Sequence, residues 1–215
     1  MERLSNYILE ANQDVEVIDK MVNDYLEIIG RGNVRAAVDT AISNTNGILK
    51  VFNDNNLAEY VNGQMLGRII EKELAKNCDF NGFTFKQGSE GKDEKDIECI
   101  GIGTRLPEEY DVILGDVNNP HNYGIELKCT QGSKPVGNKS YAMDPTDDTT
   151  RKGKQAFYIV ITNIRWRSGS GENITAQITS YNIYFGFLRQ MDWKGAAKGN
   201  SAAVVADAWK RMIKI

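Results

Sequence analysis

Through the first 80 residues, apolar side chains recur at spacings of three and four. YILEANQDVEVIDKMVNDYLEIIG does so from Tyr7 until it stops at Gly30, a period and a stop that predict an amphipathic helix. VRAAVDTAISNTNGILKVF continues in the same style. NGQMLGRIIEKELAKN opens on Asn62, a good capping residue, and predicts a third helix. From Phe83 the period drops to two. FTFKQG, DIECIGI, YDVILGD and YGIELKCT read as short strands. A glycine-rich basic loop, residues 131–155, separates them from AFYIVITNIRW. The turn SGSGEN then leads into ITAQITSYNIYFGFL, and SAAVVADAWKRMIKI closes the chain as a helix-like stretch. The order predicts an α/β fold, a mixed central sheet flanked by helices. Residues 1–60 form a helical N-terminal region suited to dimerisation or DNA binding, and residues 61–215 the main domain.

Composition adds limits. The 215 residues are 41% hydrophobic, enough for one sizeable core. No apolar run approaches the roughly 18 residues of a membrane span, and MERLSNYILEANQD has no apolar signal core. Cys78, Cys99 and Cys129 show no metal-binding spacing, and a reducing cytoplasm is the simplest setting. A net charge of −3 argues against a nucleic-acid partner, but its distribution reverses that inference. Residues 128–215 hold 14 basic and 6 acidic groups, while residues 1–127 hold 12 and 23. An acidic half joined to a basic half is an informative asymmetry, open to two readings: a face for a polyanion, or chance solvation of one face.

The most specific chemistry lies in YGIELKCT. Ile125, Leu127 and Cys129 alternate with Glu126 and Lys128, so a carboxylate and an ammonium project from one side of a strand. Upstream, VNNPH is rich in turn formers and predicts a hairpin between YDVILGD and YGIELKCT. With its turn near Asn119, Asp111 falls opposite Leu127 and beside Glu126 and Lys128. Two carboxylates suit a hard divalent cation such as Mg²⁺. A neighbouring lysine can stabilise charge developing on a phosphodiester and orient the attacking water. This D…E-x-K arrangement is the one used by PD-(D/E)xK nucleases. By itself it also describes an ordinary surface strand, since charges usually decorate solvated faces.

Five further stretches occur in order: GKDEKDIECI, IELKCT, VGNKSYA, KGKQAFYIVIT and IYFGFLRQMDWKGAAKGNSA. Together, over roughly residues 86–205, they resemble the ScaI-like family of type II restriction endonucleases. That family has a Lys-Asp strand, an E-x-K strand followed by a Gly-Asn-Arg-Ser-Tyr-like loop, and a Phe-Gly-Trp…Asp-Trp segment. Lys139 stands here where arginine is usual, and Phe187 where tryptophan is usual. The resemblance implies a PD-(D/E)xK fold, Mg²⁺ as cofactor, double-stranded DNA as substrate and 5′-phosphate products. It maps the Lys-Asp motif onto Lys95–Asp96, whereas the hairpin argument favours Asp111. Asp111 is slightly preferred, with Asp96 the rival. The resemblance also permits a helix glutamate, Glu71, at the metal, although an exposed helix charge is the commoner role.

The loop residues Lys134, Asn138, Lys139, Ser140 and Tyr141, with Arg151, Lys152 and Lys154, carry donors suited to phosphates and base edges. Arg165, Trp166 and Arg167 flank a predicted hairpin turn and are also candidates to reach DNA. His121, the only histidine, sits in a turn, which disfavours a histidine-based nuclease. Cys99 and Cys129 are expected to pack as small hydrophobes, and Asp192–Trp193 to stabilise the fold. The expectation is a Mg²⁺-dependent, sequence-specific type II restriction endonuclease. A homodimer would match a palindromic site. The rivals are a PD-(D/E)xK nuclease of repair or recombination, against which the lack of a Walker motif weighs, and a non-catalytic DNA-binding protein.

Overall fold

The computed structural model describes residues 2–77, 79–80, 83–87, 97–99, 124–138, 156–170, 173–195 and 201–215. Helix α1 spans Glu2–Ile29 and α2 Arg31–Asp54. Gly30 between them has φ +83°, a left-handed conformation that suits glycine and stops the first helix where the sequence pattern stops. A 3-10 turn at Ala58–Tyr60 leads to α3, Gly63–Asn77. Asn62 caps α3 as expected, its Oδ1 accepting from the Met65 N–H at 2.9 Å.

The strands that follow are β1 (Asp79–Phe80), β2 (Phe83–Gln87), β3 (Ile97–Cys99), β4 (Ile125–Cys129), β5 (Val136–Asn138), β6 (Ala156–Ser168), β7 (Thr175–Leu188), β8 (Trp193–Gly195) and β9 (Ser201–Val204). Helix α4, Ala206–Arg211, and a last strand β10, Ile213–Lys214, end the chain. The large sheet runs β1-β2-β3-β4-β6-β7-β10, and a small sheet runs β5-β9-β8. The β4–β6 pairing is parallel, and every other pairing in the large sheet is antiparallel. This is the mixed sheet with flanking helices that the pattern predicts.

Two departures matter. The closing stretch is strand, short helix and strand rather than one helix. Ser201–Val204 pairs with both β5 and β8, and Ile213 and Lys214 pair with Phe185 and Tyr184 of β7. Waiting strand edges override a moderate helical pattern here. The expected hairpin partner of β4, residues 110–116, lies outside the described residues. The antiparallel neighbour recorded at Ile125 is β3, through Ile97↔Ile125.

Apolar side chains bury both faces of the large sheet. On one face Ile125, Leu127, Phe157, Ile159, Ile161 and Phe185 share a core with Tyr25 of α1, Val38 and Leu49 of α2, and Ile70 and Leu74 of α3. The Tyr25 ring stacks on Phe157 with centroids 4.0 Å apart. On the opposite face Tyr158, Val160 and Leu188 pack against Trp193, Val204, Ala208 and Met212. Helix α2 also covers a strand edge. Asn46 and Asn53, seven residues apart and so on one helix face, each pair their amide with β7. Asn46 donates to the Ile178 carbonyl at 3.0 Å and accepts from its N–H at 2.7 Å. Asn53 does the same at Ala176, at 2.9 and 2.8 Å.

Candidate active site

Strand β4 is registered on β6 so that Ile125, Leu127 and Cys129 stand beside Phe157, Ile159 and Ile161, while Glu126 and Lys128 stand beside Tyr158 and Val160. The first set enters the helix-side core. Glu126 and Lys128 therefore project from the other face, the one covered by the small sheet and α4. Glu126 is 1% exposed, unusual for a carboxylate, since desolvating a charge costs far more than any surface site would. Lys128 offers it a countercharge, its Nζ 3.5 Å from Oε2. At that distance the pair gains Coulombic attraction but little directional hydrogen bonding. The Lys128 side chain is 18% exposed, so its head reaches a boundary between protein and solvent. A buried carboxylate beside a partly accessible ammonium can hold a cation and act on a bound phosphoryl group.

The backbone changes where this row ends. Thr130 and Gly132 continue alongside β6: the Thr130 N–H donates to the Ile161 carbonyl at 2.9 Å, and the Ile164 and Asn163 N–H groups donate back to Thr130 and Gly132 at 3.2 and 2.9 Å. On its other edge β6 pairs Thr162 with Asn182 and then Arg165 with Ser180. Three steps on β6 oppose two on β7, so β6 holds one extra residue, a β-bulge. Asn163 sits in it with φ +52°. The alternation shifts accordingly: Phe157, Ile159 and Ile161 face the helix-side core before the bulge, and Ile164 and Trp166 after it.

Of the residues singled out in the sequence, the structure brings Glu126 and Lys128 together. Asp96, Asp111, His121, Lys139, Ser140, Tyr141, Arg151, Lys152 and Lys154 lie outside the described residues. Asn138 ends β5, paired with Ser201, and Lys134 is exposed beyond β4. Glu71 is half-buried on α3. It lies one turn from Gly67, the point where the helix approaches Cys129 of β4, and so on the same stripe. Among the described residues, no cluster of three or more His, Cys, Asp or Glu side chains is poised for a metal. Glu126 supplies the hard oxygen donor that Mg²⁺ favours.

Two expectations change. Trp166 is 5% exposed and belongs to the helix-side core, so it is not a DNA contact. Arg167 spends its guanidinium on the Ala58, Glu59 and Val61 carbonyls, at 3.3, 2.7 and 3.2 Å. It braces the 3-10 turn; Arg165 and Arg167 are both exposed, but Arg165 lacks that backbone engagement. Asp192 is structural, as expected. Buried at 3% exposure, it accepts from the Arg189 backbone and guanidinium and from Arg211. Asn163 escaped the sequence reading, although a signal was present. The apolar positions Ile159 and Ile161 are two apart, but Ile161 and Ile164 are three apart, which is how a one-residue bulge appears in an alternating strand.

No described helix is long and apolar enough to cross a membrane. Comparison with curated proteins and with solved structures gave no match. The family model of the ScaI restriction endonuclease matches residues 32–215, from the start of α2 through the candidate site to the last residue. With that match over most of its length, the chain belongs to the ScaI restriction endonuclease family, enzymes that cut DNA.

Proposed function

We propose that this protein is a type II restriction endonuclease that hydrolyses phosphodiester bonds of double-stranded DNA at a specific sequence with Mg²⁺, using a PD-(D/E)xK site centred on Glu126 and Lys128. The observation carrying this reading is a carboxylate only 1% exposed, paired at 3.5 Å with an ammonium two residues along the strand. A purely structural role would be served as well by an apolar pair, since a buried ion pair is seldom worth its desolvation.

In this reading Glu126 holds the cation together with an aspartate from the strand alongside; Glu71, on the α3 stripe that approaches Cys129, stands on the helix side of the sheet, across from it. That aspartate is Asp111, by the hairpin reading, with Asp96, by the family resemblance, as the rival; both lie outside the described residues. Mg²⁺, when bound, supplies Lewis-acid polarisation of the phosphodiester. Lys128 places its ammonium where negative charge develops on the phosphoryl oxygens, and it orients the attacking water. Lys134, Asn138, Lys139, Ser140 and Tyr141, with Arg151, Lys152, Lys154 and the exposed Arg165, supply the DNA contacts. A homodimer, with residues 1–60 as a candidate dimerisation or DNA-binding element, would present one site to each strand of a palindrome.

Plasmid incubated with Mg²⁺ tests this. Discrete fragments with 5′-phosphate ends are expected, and EDTA should abolish them. A smear would indicate a general nuclease instead, and intact DNA over a range of sequences would overturn the catalytic reading.

A further inference from the structure

Asn163 stands on the same face as Glu126 and Lys128, just past their end of the sheet. Before the bulge, Tyr158 and Val160 mark that face. Thr162 follows in phase, and in a bulge the extra residue projects roughly with its neighbour. The Asn163 Nδ2 lies 3.4 Å from Thr162 Oγ1, which places the two side chains together. The contact is long for a hydrogen bond, and Asn163 is half-buried rather than enclosed, so the amide keeps donor capacity towards solvent.

The backbone around it is over-determined. The Asn163 N–H is held by Gly132 and the Ile164 N–H by Thr130, and the Asn163 φ of +52° is sustained by that ladder. Left-handed conformations cost L-residues energy and persist where the surroundings impose them. Here the surroundings are Thr130 and Gly132, just past the E-x-K strand, so Asn163 is fixed relative to Lys128 through three hydrogen bonds: Thr130 to Ile161, Ile164 to Thr130, and Asn163 to Gly132.

We propose that Asn163 is a substrate-positioning residue, its side-chain amide donating to a phosphate oxygen of the DNA backbone next to the cleaved bond. The inference rests on the nuclease reading above. A neutral amide suits this task because it donates without adding charge beside the Glu126–Lys128 pair, and phosphate contacts fix register without reading sequence.

The competing account is that asparagine is present only because it tolerates a left-handed backbone. Asn163→Gly separates the two, since glycine keeps the conformation at no steric cost and removes only the amide. The variant should melt at the wild-type temperature, while its kcat/KM for cleavage drops about ten- to a hundredfold, as losing a hydrogen bond to a charged group predicts. Asn163→Asp, which also tolerates the backbone, should lose more because it sets an anion against the phosphate. The drop should be equal on cognate and near-cognate sites. Wild-type cleavage by Asn163→Gly would overturn the proposal while leaving the nuclease reading intact. Relaxed discrimination instead of uniform loss would also overturn it, by pointing to a base contact. A wild-type protein that cuts no DNA would sink the nuclease reading itself.

Discussion

The two faces of β4 receive opposite treatment from the same five residues. On the helix side Ile125 and Leu127, 0% and 6% exposed, join a core reaching back to α1, and burial of apolar area accounts for them completely. On the other side Glu126 is buried just as deeply, and packing gives no reason for it. Depth of burial therefore does not separate structure from chemistry in this strand. The cost of the buried group does. A side chain that stabilises by being buried needs no function to explain it, whereas a carboxylate that destabilises by being buried does.

The sharpest way to break this contrast is to exchange the faces' expected phenotypes. Glu126→Gln keeps shape and burial but removes the charge. Cleavage should fall by about 10²–10⁴-fold, the range for losing a positioned catalytic group, while the melting temperature holds or rises. Lys128→Ala should also abolish cutting and retain metal-dependent DNA binding. The same logic applies to the neighbouring aspartate: Asp111→Asn should be inactive and Asp96→Asn partly active, and the reverse result would assign the role to Asp96. Near-wild-type cutting by Glu126→Gln would mean that the face is merely structural.

Leu127→Ala probes the opposite face. Truncating a buried leucine costs about 2–5 kcal/mol, readable by denaturant unfolding, yet specific activity per folded molecule should stay close to normal. If activity fell while stability held, the division between the faces would fail.

How much of this the sequence discloses depends on how local the cause is. Periodicity and caps revealed α1, α2, α3, β4, β6 and β7, because Gly30, Asn62 and the alternation of Ile125 and Leu127 act over a few residues. The Glu126–Lys128 pair was equally legible, since i and i+2 on a strand share a face. What was hidden depends on distant partners. The ending SAAVVADAWKRMIKI becomes strands only because β5, β8 and β7 offer edges. Arg167 looks like a free cation until Ala58, Glu59 and Val61 bring carbonyls to it across more than 100 residues. Trp166, a candidate by its place beside the turn, is carried into the helix-side core by the parity shift at Asn163.

A smaller effect should come from the edge that α2 covers. Asn46→Ala or Asn53→Ala leaves an N–H and a carbonyl of β7 without their amide partner, costing about 1–3 kcal/mol each where water does not replace it. Neither residue lies on the Glu126 face, so cleavage by the folded fraction should be unchanged. Asn46→Asp, which keeps only the acceptor, should lose stability too, because the carbonyl of Ile178 would then face an oxygen. Loss of cleavage without loss of stability in these variants would tie α2 to the active site directly.

The smallest expected effect is a pH dependence confined to the helix side. The Tyr181 hydroxyl donates to Asp39 Oδ1 at 2.7 Å. Burial, and then the hydrogen bond and negative charge of Asp39, push its pKa up to about 12 from the ordinary 10.0. The folded protein therefore favours the protonated phenol more than the unfolded chain does. The resulting stability is fully present below pH 10 and is lost as pH rises through about 12. Tyr181→Phe removes both the bond and the titration. The melting-temperature gap between wild type and variant should be widest near pH 8 and close towards pH 12. Tyr181 is partly exposed, so solvent screening keeps the gap small. A gap that stayed constant across that range would show that the hydroxyl contributes packing alone and that its proton is not linked to folding. The pH profile of cleavage, set by groups on the opposite face, should be the same in both proteins up to the alkaline unfolding limit.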